Sequence, residues 1–162
     1  MKAHIYQHSR GGVKSRLWSA RVRLEGWVKD RTFALHVTDK RVAEQKLAKL
    51  VQELEREAAG ILAPKLMRDA AQTPISTHLK AFLADLEAKG RASNTLGKYR
   101  NCIPALCRRC RWVMVRDVSA QSFTVWRATS NLRAKTLNDL LAAMSSLLNW
   151  MERQQLIMGN PL

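Results

Sequence analysis

From Trp18 to Leu24, apolar and polar residues alternate strictly. Trp18, Ala20, Val22 and Leu24 fall on one side, with Ser19, Arg21 and Arg23 on the other. A period of two marks a strand buried on one face only. Glu25-Gly26 signals a turn. A second alternating run follows, with Phe33, Leu35 and Val37 set against Thr32, Ala34 and His36. Trp27-Val28-Lys29 fits a short strand between the two. The pattern predicts a two- or three-stranded antiparallel sheet with one apolar and one basic face. Ahead of it, His8-Ser9-Arg10-Gly11-Gly12-Val13-Lys14 reads as a loose, basic lead.

The period then changes. Ala43, Leu47, Leu50, Val51, Leu54 and Ala58 recur at helical spacing over Lys40 to Ala58. Thr38 or Asp39 supplies the cap, and Gly60 the stop. This stripe is suited to covering the apolar face of the sheet, which leaves Ser19, Arg21, Arg23, Lys29 and Arg31 outward. A two-stranded ribbon fits the DNA major groove, so that face is a candidate groove reader; the alternative is a solvated sheet face. Residues 61–72, with small side chains, Pro64 and no stripe, read as a linker between a sheet-plus-helix domain (1–60) and a second domain (73–162).

The second domain reads as all helix. Thr73-Pro74 opens the first element, with Thr73 as cap, and Ile75, Leu79, Phe82, Leu83 and Leu86 form its face. The next element starts near Ser93. Its stripe is Leu96, Tyr99, Ile103, Leu106 and Cys110, while Asn94, Lys98 and Asn101 cluster on another face. Pro104 lies inside it and is expected to kink or shorten it. Ser119 caps a short helix carrying Phe123 and Trp126. Thr136 to Arg153 then holds one continuous face from Leu137 to Met151. Four helices with short connections make a bundle, so the fold class is α+β overall: a small antiparallel sheet plus helix, then an all-α four-helix bundle.

Composition narrows the partner. The chain has 162 residues, 28 Lys and Arg against 13 Asp and Glu, and a formal charge of +15. With 46% hydrophobic residues it is no disordered basic tail. Residues 1–72 carry net +7 and residues 73–162 net +8, so the footprint is extended rather than confined to one end. A folded body so charged belongs opposite a polyanion. Cys102, Cys107 and Cys110 are too few for a disulfide framework, no signal-peptide or membrane-spanning run is present, and a reducing, cytoplasmic setting is expected. Their spacing is like the first three ligands of an iron–sulfur site. No fourth Cys exists, so neither metal nor cofactor is expected.

Residues 73–161 resemble the SAM-like core-binding domain of the tyrosine recombinases, the phage-integrase family. The resemblance rests on Ser93-Asn94-Thr95 followed by Tyr99, then Arg116-Asp117-Val118, Arg133-Ala134-Lys135-Thr136-Leu137-Asn138, Leu148-Asn149-Trp150 and the closing Gln155 to Pro161. More loosely, the first unit is similar to the arm-type DNA-binding domain that often precedes it, through its alternating strands and Asp39-Lys40-Arg41-Val42-Ala43-Glu44. The resemblance implies double-stranded DNA as partner, with further recombinase protomers assembled on it and no membrane or small-molecule substrate. Carried to matching positions, it implies contacts at Ser93, Asn94, Thr95, Lys98, Arg133, Lys135, Thr136 and Asn138. Arg and Lys would mostly hold phosphates, while Asn94, Asn101 or Asn138 are suited to base edges.

The family's chemistry needs a tyrosine nucleophile with arginines and a His-x-x-Arg cluster. This chain has only Tyr6 and Tyr99, and none of His4, His8, His36 and His78 begins such a cluster. Tyr99 lies on an apolar stripe, and the chain stops where the catalytic domain would begin. The expectation is a non-catalytic DNA-binding portion of a recombinase. The alternative is a stand-alone basic helical module that binds RNA or an acidic partner.

Overall fold

Gly11 and Gly12 are not part of a loose lead. With φ of +58° and +81° they form a two-residue turn joining β1 (Lys2–Arg10) to β2 (Val13–Arg23). A hairpin this tight needs positive φ at both turn positions to match strand twist, and glycine adopts it freely. The computed structural model describes residues 1–162, which divide into two compact units, Met1–Ala63 and Pro64–Leu162.

In the first unit β3 (Arg31–Ala34) completes an antiparallel sheet of order β1-β2-β3. The expected strand at Trp27-Val28-Lys29 does not form. Gly26 turns the chain instead, and the Trp27 N–H donates to the Leu24 carbonyl at 3.2 Å. β3 ends earlier than the alternation to Val37 suggests, because His36 takes φ +54°. Pairing nevertheless persists past it. The Leu35 N–H donates to Trp18 at 3.1 Å and the Trp18 N–H to Val37 at 2.9 Å, so Leu35 still points inward.

Helix α1 (Lys40–Ala58) lies over the sheet. Asp39 caps it, its Oδ1 accepting from the Val42 N–H at 2.8 Å. Ala43 is fully buried against Ala20, Val22, Leu24 and Leu35, with Leu47, Leu50, Val51 and Leu54 packed around them. The Lys46 ammonium reaches back to the Leu35 carbonyl at 2.9 Å, tying helix to sheet.

The second unit begins within the stretch read as a linker, which contains helix α2 (Lys65–Ala71). Ala70 is buried and its carbonyl meets His78 Nε2 at 3.1 Å, so α2 is anchored to α3 (Ile75–Ala88). A seven-residue helix is too short to show a stripe. Thr73 does not cap α3: its hydroxyl donates to the Asp69 carbonyl at 2.8 Å, and Pro74 stands at the N-cap.

α4 runs unbroken from Ser93 to Cys110 through Pro104. The carbonyl that Pro104 leaves unpaired, that of Arg100, lies on an exposed stretch. Beyond α4, a 3-10 turn (Val115–Asp117) leads to α5 (Ala120–Ala128), where the Ser122 N–H donates to Ser119 Oγ at 3.2 Å. α6 (Ala134–Arg153) supplies much of the core: Met144, Leu147 and Leu148 are fully buried against Ile103 and Leu106 of α4 and Phe82 of α3. An apolar cavity of about 330 Å³ remains between α3 and α4 beside Pro104, with Arg108 and Arg111 among its lining residues.

Candidate nucleic-acid interface

On the sheet, the register decides which basic residues face outward. Arg21 pairs with His4 and with Thr32, Arg23 with Lys2, and Ser19 with Tyr6 and Ala34. Directly opposed residues share a face, so Lys2, His4 and Tyr6 stand with Arg21 and Arg23 on the side away from α1. The Arg21 guanidinium sits 5.0 Å from the Tyr6 ring centroid, and the Tyr6 hydroxyl lies 3.1 Å from His8 Nε2. The result is a cationic strip on an aromatic base. Lys2, His4, Tyr6 and His8 escaped the sequence reading because β1 did. Their signal was the alternation with Ala3, Ile5 and Gln7 ahead of a Gly-Gly turn.

Two of the sheet residues expected outward, Arg31 and Lys29, stand elsewhere, and a third, Ser19, is covered. Arg31 pairs with Val22, which puts it on the apolar face, and its guanidinium stacks 4.1 Å from the Trp27 ring centroid at the sheet's edge. Ser19 keeps to the outer face, opposite Tyr6 and Ala34, but is only 6% exposed between larger neighbours. Lys29 is exposed but belongs to the β2–β3 loop. Arg23 is tethered to that loop, its Nε 3.9 Å from Asp30 and its Nη2 3.5 Å from the Val28 carbonyl.

In the helical unit, α4 and α6 form a groove of about 380 Å³ lined by Asn94, Thr95, Lys98 and Tyr99 from α4 and Ala142, Ala143 and Ser146 from α6. At about 100° per residue, Asn94, Lys98 and Asn101 lie within about 60° of arc on α4. On α6 the same count puts Lys135, Asn138, Asp139, Ala142, Ser146 and Asn149 on one face, with Thr136 about 100° away from Lys135. Seven of the expected residues are accounted for: Asn94, Thr95 and Lys98 line the groove, and Asn101, Lys135 and Asn138 share its helix faces, while Thr136 does not. Arg133 is the N-cap of α6 and Ser93 the first residue of α4, both exposed. Arg91, Asn149 and Arg153 extend the same region through an adjoining hollow that also takes in Thr95 and Ser146.

Lys98 is not the free cation that was expected. Its ammonium meets Asp139 Oδ1 at 2.7 Å. The Lys98 hydrogen bond and charge hold the Asp139 carboxyl below its ordinary value, and the same bond raises Lys98, so both are ionised near neutrality. Neither helix alone discloses the pairing, because the partners are 41 residues apart.

At the other end of α4, Arg108, Arg109 and Arg111 are exposed, and Arg109 lies 6.0 Å from the Trp126 ring centroid. Arg111 holds the left-handed conformation that ends the helix, with φ +58°. Tyr99 packs edge-on against Phe82, ring centroids 5.2 Å apart. The thiols of Cys102, Cys107 and Cys110 are free, with Cys107 the buried one and the other two half-buried.

Residues 79–155 match the family model described as the phage integrase N-terminal SAM-like domain, a span running from within α3 to just past α6. No curated protein and no solved structure matches the chain.

Proposed function

The helical unit belongs to the phage integrase N-terminal SAM-like domain family, and from that premise we propose that this chain binds double-stranded DNA as the N-terminal portion of a site-specific tyrosine recombinase. The observation that carries the reading is the α4–α6 surface, where Asn94, Thr95, Lys98, Lys135 and Asn138 share one side of two packed helices. Amides there suit base edges and the ammonium of Lys135 suits phosphate. The formal charge of +15 supports a polyanionic partner. The sheet's outer strip of Lys2, Arg21 and Arg23 supports a second DNA contact of the arm-binding kind. Strand cleavage is outside the proposed role, since Tyr99 is packed on Phe82 and Tyr6 has no arginine cluster of the required kind.

One observation favours a second reading. Tyr6, with His4 and His8 beside it, offers a stacking surface that suits unpaired bases better than a duplex. The test is binding of the whole chain to labelled duplex with unlabelled duplex or single-stranded RNA as competitor. Asn94→Ala with Lys135→Ala should weaken duplex binding about tenfold or more with helicity unchanged. Unchanged duplex affinity in that double variant removes the α4–α6 surface from the contact. Preferential displacement by RNA supports the second reading.

A further inference from the structure

Asp139 stands out on a surface that otherwise offers amides and ammonium groups. It projects from the first turns of α6, accepts from Lys98 of α4 at 2.7 Å, and both side chains remain roughly half exposed, at 43% and 50%. Ion pairs so exposed add little to stability. The two helices are already held by Ile103, Leu106, Met144 and Leu147 beneath. A carboxylate in this place also repels the phosphates of any duplex laid across it, so its presence calls for a reason other than cohesion.

We propose that Asp139 is a specificity-determining residue that accepts a hydrogen bond from the exocyclic amino group of a cytosine in the major groove. The inference rests on the duplex-binding reading above. Asp139 shares its helix face with Asn138 and Lys135, and across the groove Asn94 stands one turn from Lys98. Base edges brought to Asn94 or Asn138 therefore come within reach of the carboxylate. An ionised carboxylate has no proton to donate, so it matches only an edge that donates. Cytosine presents its N4 amino group. Guanine presents O6 and N7 and thymine presents O4, all acceptors that a carboxylate repels. Adenine's amino group lies beside its N7 acceptor, which makes it the poorer partner. Lys98 acts as a positioning residue: one carboxylate oxygen is fixed by its ammonium, which leaves the other for the base and cancels part of the charge that nearby phosphates feel. The pairing also keeps Lys98 from serving as an indiscriminate phosphate anchor.

The test is selection of bound duplexes from a random pool by the full chain, comparing wild type with Asp139→Asn. Wild type should enrich cytosine at one position of each half-site. Asp139→Asn should lose about tenfold discrimination at that position alone. It should also bind unrelated duplex more tightly, with a salt slope steeper by about one phosphate, because Lys98 is released. An Asp139→Asn selection that keeps the cytosine at full strength overturns the inference and leaves duplex binding intact. So does a wild type that holds duplex while enriching no cytosine. A wild type that holds no duplex overturns the binding reading and this inference with it. Should Asp139→Asn lose its helical signal, Asp139→Ala, which favours the helix, answers in its place: with no acceptor at that position the cytosine preference must disappear, and its retention overturns the proposal.

Discussion

Cys107 faces the core from α4, and burial pushes its thiol up to about 11. At pH 8 only about one molecule in a thousand then carries the thiolate that alkylating agents attack. Iodoacetamide on the folded chain should therefore modify Cys107 last, after the half-buried Cys102. Equal labelling of the two, read by peptide mass, would show that α4 is open on that side. The helical stripe placed Cys110 in the core and passed over Cys107. A stripe reads one contact direction, whereas α4 is packed by α3, α5 and α6 and buries a broader arc. Two sheet residues differ for other reasons. Arg31 was misplaced although the alternation of β3 itself sets it with Phe33 on the apolar side, and Ser19 stands on the outer face as read but is covered by neighbours that one strand does not disclose. Arg21, by contrast, was readable, since the central strand's own period sets its side. Asn94 and Lys98 were readable as a shared helix face, but the pairing of Lys98 was not.

At the level of elements, the short turn after α4 depends on one carboxylate. Asp117 Oδ2 accepts from the Met114 N–H at 2.7 Å and the Val113 N–H at 3.0 Å, fixing the 3-10 turn. Those two bonds lower its pKa below the ordinary 3.8, the Met114 bond contributing most. Asp85 is lowered as well, by Lys89 first and by the Trp150 indole that donates to it at 2.9 Å, and Asp139 by Lys98. A group whose folded value is depressed contributes stability above its unfolded value and loses it as pH falls through the folded one. The urea midpoint of the helical unit should thus hold level from neutrality to about pH 4 and fall below that. Asp117→Asn should flatten part of this acid loss, and a midpoint that rises on acidification would contradict the assignment. The long elements α1, α3, α4 and α6 were legible because each repeats its period over many turns. β1 and α2 were not. β1 sets Ala3, Ile5 and Gln7 against Lys2, His4 and Tyr6, which gives little contrast in polarity, and α2 is too short for a stripe and is anchored by the contact of Ala70 with His78.

Over the whole molecule the dominant fact is charge. Few of the cations are neutralised by pairing of the kind that joins Lys98 to Asp139 or Lys89 to Asp85. Opposite DNA each neutralised phosphate adds about −0.9 to the slope of log affinity against log salt. With the α4–α6 surface and the sheet strip both engaged, the full chain should show a slope of about −4 or steeper. A flat response, measured by fluorescence anisotropy across a salt series, would point to contacts other than phosphate tracking. The chain divides into Met1–Ala63 and Pro64–Leu162; the sequence marks that neighbourhood only as a gap in the helical stripe between Ala58 and Ile75, within which the unstriped α2 gives no sign of its own. The Gly11-Gly12 turn bears on time as well as shape. It brings β1 against β2 from immediate neighbours in the chain, so that ribbon can assemble within microseconds, without waiting for distant segments. The groove between α4 and α6 must first close a loop of some forty residues, so during synthesis or refolding the sheet's cationic strip is ready well before its helical counterpart.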